Sequence, residues 1–268
     1  MLIKAPAKLN LHLQVIKKRE DGFHNLRTVY QLINLYDEIE FKPNNSEIEL
    51  KERPKKIKDN LVLKAAYAIK DKTKTDKGAI IYLNKKIPSQ RGLGGGSSDA
   101  AATLVALNHL WKTNLNKKQL LDIALKLGSD VPFFIYGKAA WAEGRGELFT
   151  TLDLKSQWYL LLFPETGVST KEAFQEVLIT KKKITSIDEF LSGTSLNSFA
   201  EWAKDKYPEI RKAFSLLKTV GTPRLTGTGS TVFVPFSNKA KAEKALKKIP
   251  NGILVKNLDH SPLIQLIE

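Results

Sequence analysis

Apolar and polar residues alternate strictly near the start of the chain. Leu9, Leu11, Leu13 and Val15 fall on one face, and Lys8, Asn10, His12 and Gln14 on the other. A period of two marks a half-buried β-strand and puts Lys8 and Asn10 on one face. Asp21-Gly22 is a turn signal. The extended residues after it, "LRTVYQLINL", predict a second strand, and "YDEIEFKP" a third. The period then changes. "DNLVLKAAYAIKDK" spaces its apolar residues as a helix does, with Asp59 or Asn60 as candidate N-cap. "AIIYLNKKIP" leads into a glycine-rich loop, followed by a helix to about Trp111. A further helix, "NKKQLLDIALKLG", has Asn116 to cap it and Gly128 to take a left-handed position at its end. "VPFFIYG" predicts a strand, and "QWYLLLFPE" a buried strand closed by Pro164. Helices follow, then "TGTGSTVFVPF" running from glycines into a strand, a lysine-rich helix, and "GILVKNL" as a last strand. Helices and strands mix without a regular βαβ repeat. The expected class is α+β in two lobes, divided near Asp153 into residues 1–153 and 154–268.

Composition narrows the function. The 268 residues suffice for a sizeable core, and 42% are hydrophobic. No apolar run approaches the ~20 residues of a membrane-spanning helix, and the N-terminal residues do not read as a signal peptide. There is no cysteine, which removes disulfide and thiol chemistry and fits a cytoplasmic protein. His12, His24, His109 and His260 are widely spaced, against a structural zinc site. The net charge of +15 raises nucleic-acid binding as a reading. Yet only seven of the 43 basic residues are arginine, the residue suited to bidentate phosphate contacts. The lysines fall in separate clusters, at 51–58, 70–77, 181–183 and 239–248, the last patterned as a solvated helix face. A lysine-rich soluble surface is the better account, and it would still attract a small polyanion.

The segment Pro88 to Ser98 holds Gly92, Leu93, Gly94, Gly95, Gly96, Ser97 and Ser98 just ahead of a helix. Bare amides at a helix N-terminus form an anion site. The two serines can add donors or cap the helix, and Ala100 to Ala102 keep its first turn slim. Neither the Walker pattern, which needs a lysine after the glycines, nor the Rossmann spacing fits. Gly227 and Gly229 read as a tight turn or, beside a phosphate loop, as a second wall. Asp130, after Gly128 and before Pro132, is either a turn residue or a carboxylate paired with Lys8. Such a pair could orient a hydroxyl proton and neutralise a transferring phosphate.

"PAKLNL" (6–11), "PSQRGLGGGSSDAA" (88–101), "LGSDVPFF" (127–134) and "LTGTGSTVF" (225–233) resemble the successive motifs of the GHMP small-molecule kinases, in order and over nearly the whole chain. "DGFHNL" (21–26), "DNLVLKAA" (59–66), "AWAEGRGE" (140–147) and "GVSTKEAF" (167–174) are similar to one branch of that family. That branch acts on the cytidine-diphosphate ester 4-diphosphocytidyl-2-C-methyl-D-erythritol, not on mevalonate or homoserine. The resemblance implies a phosphate-loop lobe, a ferredoxin-like C-terminal lobe and a site between them. It implies ATP with Mg2+, phosphorylation of the ester's 2-hydroxyl on a route to isoprenoids, and no nucleic-acid or membrane partner. It implies that Lys8 and Asp130 are catalytic and that Pro88 to Ser98 hold the ATP phosphates. Asn60, Leu61 and Val62 would lie against the adenine. Asn10, Phe23, His24, Gly227 and Gly229 would bind the cytidine substrate, Phe23 and His24 at the cytosine. It assigns no metal ligand. The chain departs from the family at Phe23, where tyrosine is usual, at Gln90 and Arg91, where small residues are usual, and at Thr226, where serine is usual.

Overall fold

The computed structural model describes residues 1–54, 59–177, 179 and 183–267. Lys55, Lys56, Lys58, Lys181 and Lys182, from two of the lysine clusters, lie outside the described residues. The first sheet combines β1 (Leu2–Lys18), β2 (His24–Asn44), β3 (Ile48–Arg53), β4 (Gly78–Asn84), β5 (Ala140–Glu143) and β6 (Leu148–Thr151). Its order is β3-β4-β2-β5-β6, with β1 along the other edge of β2. Helices α1 (Leu61–Thr73), α2 (Gly95–Trp111), α3 (Lys117–Leu127) and α4 (Val131–Tyr136) complete this half. The second sheet runs β10-β7-β9-β8, from β7 (Trp158–Leu162), β8 (Arg224–Leu225), β9 (Val232–Phe236) and β10 (Ile253–Lys256). Around it lie α5 (Thr170–Glu176), α6 (Ile187–Leu191), α7 (Ala200–Lys206), α8 (Pro208–Lys218) and α9 (Lys239–Leu246). The fold is α+β with two sheets, as expected.

Several local expectations need correction. β1 is buried on both faces, not one: Lys8, Asn10, His12 and Gln14 are as enclosed as the leucines opposite them. The reason is that β1 lies between the two halves. Leu13 and Val15 belong to the core of the second half, while Ile3 and Ala5 belong to the first. The two strands expected between residues 26 and 43 are one, β2. No glycine or proline separates Leu35 from Tyr36, so the chain bulges and pairing resumes. Ala7 faces Ile33 and Pro6 faces Tyr36, leaving two extra residues on β2.

"VPFFIYG" is helix α4, not a strand. Val131 to Ile135 are all buried, and a short run apolar on every side carries no period to separate strand from helix. Pro132 sits in the first turn, where proline is tolerated. Gly137 (φ 78°) closes the helix, its N–H donating to the Phe133 carbonyl at 2.9 Å. Gly128 is extended (φ 168°), not left-handed. Asn116 does cap α3, in a reciprocal capping box with Gln119. The lysine-rich helix α9 turns Ala242 and Ala245 inward and leaves Lys239, Lys241 and Lys244 in solvent.

Candidate active site

α2 begins inside the glycine run. Gly94, left-handed at φ 70°, is its N-cap, and no side chain caps it. The serines therefore lie within the helix and do not cap it. First-turn amides of a helix have no partner within it, so Gly95, Gly96 and Ser97 present theirs at the mouth of a 17-residue helix. The alanines behind them are fully buried against α1, β1 and α4, so their small size serves close packing and not ligand approach. The protein itself also accounts for bare backbone here. A Cβ on Gly92 (φ 71°) would overlap the Thr226 carbonyl oxygen, and one on Gly94 would stand 2.9 Å from the Phe134 ring and 3.1 Å from the Lys8 stem. Gly96, by contrast, has open space before it, with Leu61 at 3.8 Å.

β1 carries Lys8 to this mouth, and the Lys8 N–H donates to the Leu93 carbonyl at 3.0 Å. The Lys8 side chain is 4% exposed. Its ammonium donates to Asn10 Oδ1 at 2.6 Å and lies 3.4 Å from Asp130 Oδ2. Asp130, just before α4, keeps its carboxylate 33% exposed, so a buried cation faces an accessible anion. The other carboxylate oxygen accepts the Tyr30 hydroxyl at 2.9 Å. Burial, with Asp130 beside it, holds the Tyr30 phenol well above its ordinary pKa, so it remains a donor. Asn10 Nδ2 donates to Thr28 Oγ1 at 2.8 Å, and Thr28 in turn to the His12 carbonyl at 2.7 Å. The chain Lys8–Asn10–Thr28 fixes the ammonium from behind.

The loop before β9 closes the site from the second half. Thr226 Oγ1 accepts the Asn10 N–H at 2.9 Å and donates to the Gly92 carbonyl at 3.2 Å. Gly227 meets Gly92 directly, a Cβ on it lying 3.0 Å from the Gly92 Cα. Arg91, on the cleft wall, joins the halves, donating to the Thr166 carbonyl and to Ser230 Oγ at 2.8 Å.

Together these groups border one cleft of about 880 Å³. Lys8, Asn10, Phe23, His24, Asn60, Leu61, Pro88, Gly92 to Ser97, Asp130 and Gly227 line it. Three expected residues do not. Val62 is turned into the core, Ser98 is buried below the helix mouth, and Gly229 packs against Leu225, Val168 and Ile210. Asn60 uses its side chain locally, accepting the Val62 N–H at 2.8 Å as N-cap of α1 and donating to Glu52. Phe23 is 45% exposed on the β1–β2 turn, so it is no core residue, and the Arg145 guanidinium lies 3.5 Å over its ring. His24 packs against Phe174, ring centroids 5.1 Å apart. Tyr30, Lys85, Asp99 and Arg145 also line the cleft and were not singled out by sequence. Among the described residues no cluster of three His, Cys, Asp or Glu forms a metal cage, and no helix is long and apolar enough to cross a membrane.

Two family profiles match the chain: GHMP kinases N terminal domain over residues 60–138, and GHMP kinases C terminal over residues 170–252. A 4-diphosphocytidyl-2-C-methyl-D-erythritol kinase from Shewanella loihica is 42% identical over 97% of this chain and 94% of its own length. One from Nitrosococcus oceani is 42% identical over 100% of this chain and 98% of its own. A crystal structure of 4-(cytidine 5'-diphospho)-2C-methyl-D-erythritol kinase superposes with a TM-score of 0.82 at 30% identity, covering 96% of this chain and 98% of that one. A mevalonate kinase structure shares the fold, with a TM-score of 0.70 at 17% identity over 97% of this chain and 99% of that one.

Proposed function

The chain belongs to the GHMP kinases, in the group of the 4-diphosphocytidyl-2-C-methyl-D-erythritol kinases, and on that premise we propose that it transfers the γ-phosphate of ATP to the 2-hydroxyl of 4-diphosphocytidyl-2-C-methyl-D-erythritol. The observation that carries this reading is the Lys8–Asp130 pair, 3.4 Å apart, in the same cleft as the free amides of α2. A kinase of this kind needs positioning and charge stabilisation more than covalent chemistry. The α2 amides hold the polyphosphate, with Pro88 to Ser97 shaping its bed and Asn60 and Leu61 bordering the adenine. Asp130 accepts the proton of the attacking hydroxyl. The new O–P bond forms as the bond to the β-phosphate oxygen breaks and ADP departs. Lys8, desolvated and fixed by Asn10, neutralises charge spreading over the transferred group. Phe23 and His24 receive the cytosine, the ring by stacking and the imidazole by reading the base edge. Gly227 leaves room for the substrate's diphosphate.

Magnesium supplies neutralisation of the ATP phosphates when bound. A cytoplasmic site of action suits the cysteine-free chain. The test is a phosphate-transfer assay with Mg-ATP and a panel holding the cytidine-diphosphate ester, mevalonate and homoserine. Turnover of the first alone is expected. Turnover of another alcohol and not the ester, or none at all, overturns the reading.

A further inference from the structure

Lys85 follows the end of β4, and its ammonium lies between two carboxylates. It donates to Asp37 on β2, and to Oδ2 of Asp99 on α2 at 2.6 Å. The three side chains are 9%, 0% and 3% exposed. Asp37 is fully used: its Oδ1 accepts the N–H of Lys86 at 2.5 Å and of Ile87 at 2.8 Å, which fixes the entry to the glycine loop. Asp99 is not. Its Oδ1 is buried and meets no donor. Yet Asp99 and Lys85 both line the cleft, and Lys85 Nζ is 3.3 Å from where a Cβ on Gly95 would stand, at the α2 mouth. With both carboxylates ionised, the cluster carries a net negative charge and an unpaired oxygen in a site shielded from water. Both are costly, and neither is used by the transfer step.

We propose that the nucleotide binds beside this cluster with uptake of one proton from solvent by the buried Asp99 carboxyl, at its unpartnered Oδ1. The inference rests on the nucleotide-binding reading of the α2 mouth. A polyanion arriving there raises the cost of the second negative charge, and protonation of the buried acid relieves it. The charged groups facing Asp99 are Lys85 from beyond β4 and Asp37 from β2, with the partial positive charge of the α2 N-terminus. Burial, with Asp37 adding to it, already pushes the Asp99 carboxyl above the usual carboxylate range against the pull of Lys85. A bound nucleotide pushes it further in the same direction, and that difference is the proton taken up.

The experiment is calorimetric titration of a magnesium-loaded, non-hydrolysable ATP analogue into the full chain at about pH 7.5, in two buffers of different ionisation enthalpy. Wild type should take up about 0.3 to 1 proton more than Asp99→Asn, which keeps a donor but cannot titrate. Wild-type affinity should fall with rising pH by up to about tenfold per unit, while the variant stays flat. Equal proton uptake in both, with binding intact, overturns the linkage and leaves the kinase reading standing. If the variant does not fold, constant wild-type affinity across the same alkaline range overturns it as well. No binding to wild type overturns both readings.

Discussion

The Tyr30 hydroxyl donates to Oδ1 of Asp130 at 2.9 Å, which leaves Oδ2 to face the Lys8 ammonium. Tyr30, itself buried, thus orients the carboxylate. Its ring stacks on Phe133, centroids 4.6 Å apart, and phenylalanine would keep that contact. Tyr30→Phe should therefore lower kcat roughly tenfold, the loss of about one hydrogen bond to a charged group, with both KM values unchanged. Steady-state kinetics against each substrate checks this. A rise in KM with constant kcat would place the hydroxyl on ground-state binding instead.

Asp130→Ala should lower kcat by roughly 10²–10⁴, the range of a general base. The side chain is one-third exposed and caps no helix through a hydrogen bond, but its loss strips the acceptor from the buried Tyr30 hydroxyl, so stability should fall modestly, by about 1–3 kcal/mol. Near-normal turnover in a folded variant would take Asp130 out of the proton step.

Phe23→Ala should weaken binding of the cytidine substrate by about 1–3 kcal/mol, the scale of base–aromatic stacking, with KM for ATP unaffected. Because Phe23 is 45% exposed, a loss of stability cannot imitate this result. Binding of CDP, followed by calorimetry, separates the two.

His12 gives the fold an acid sensitivity. Burial, reinforced by Arg224 and Arg27, lowers its pKa to about 4, against 6.5 in the unfolded chain. Between these values the unfolded state binds more protons than the folded one, so stability drops as pH falls from about 6.5 to 4. The contribution is at most about 3 kcal/mol. Urea unfolding at several pH values should show it, and His12→Gln should flatten the dependence in that window.

Much of this architecture was readable in the chain. Alternation in β1 put Lys8 and Asn10 on one face, and the caps of α1 and α3 at Asn60 and Asn116 are written in local chemistry. What was not readable depends on distant neighbours. The burial of His12 follows from the second half covering β1, and no local period encodes it. α4 looked like a strand because every side of it is buried. Gly92 reads as a ligand contact from sequence, yet its lack of a side chain answers to the Thr226 backbone, 134 residues away. Lys85 is one of many lysines, and only its two buried carboxylates distinguish it.

β1 has one more consequence. Its first half is packed into one core and its second half into the other. Leu13 exchanges backbone hydrogen bonds with Leu196 and Ser198. In the return direction Leu263, near the end of the chain, is packed into the first core. A strand held by both bodies ties them together and opposes clamshell rotation about a hinge, so Lys8 keeps its place relative to each of them.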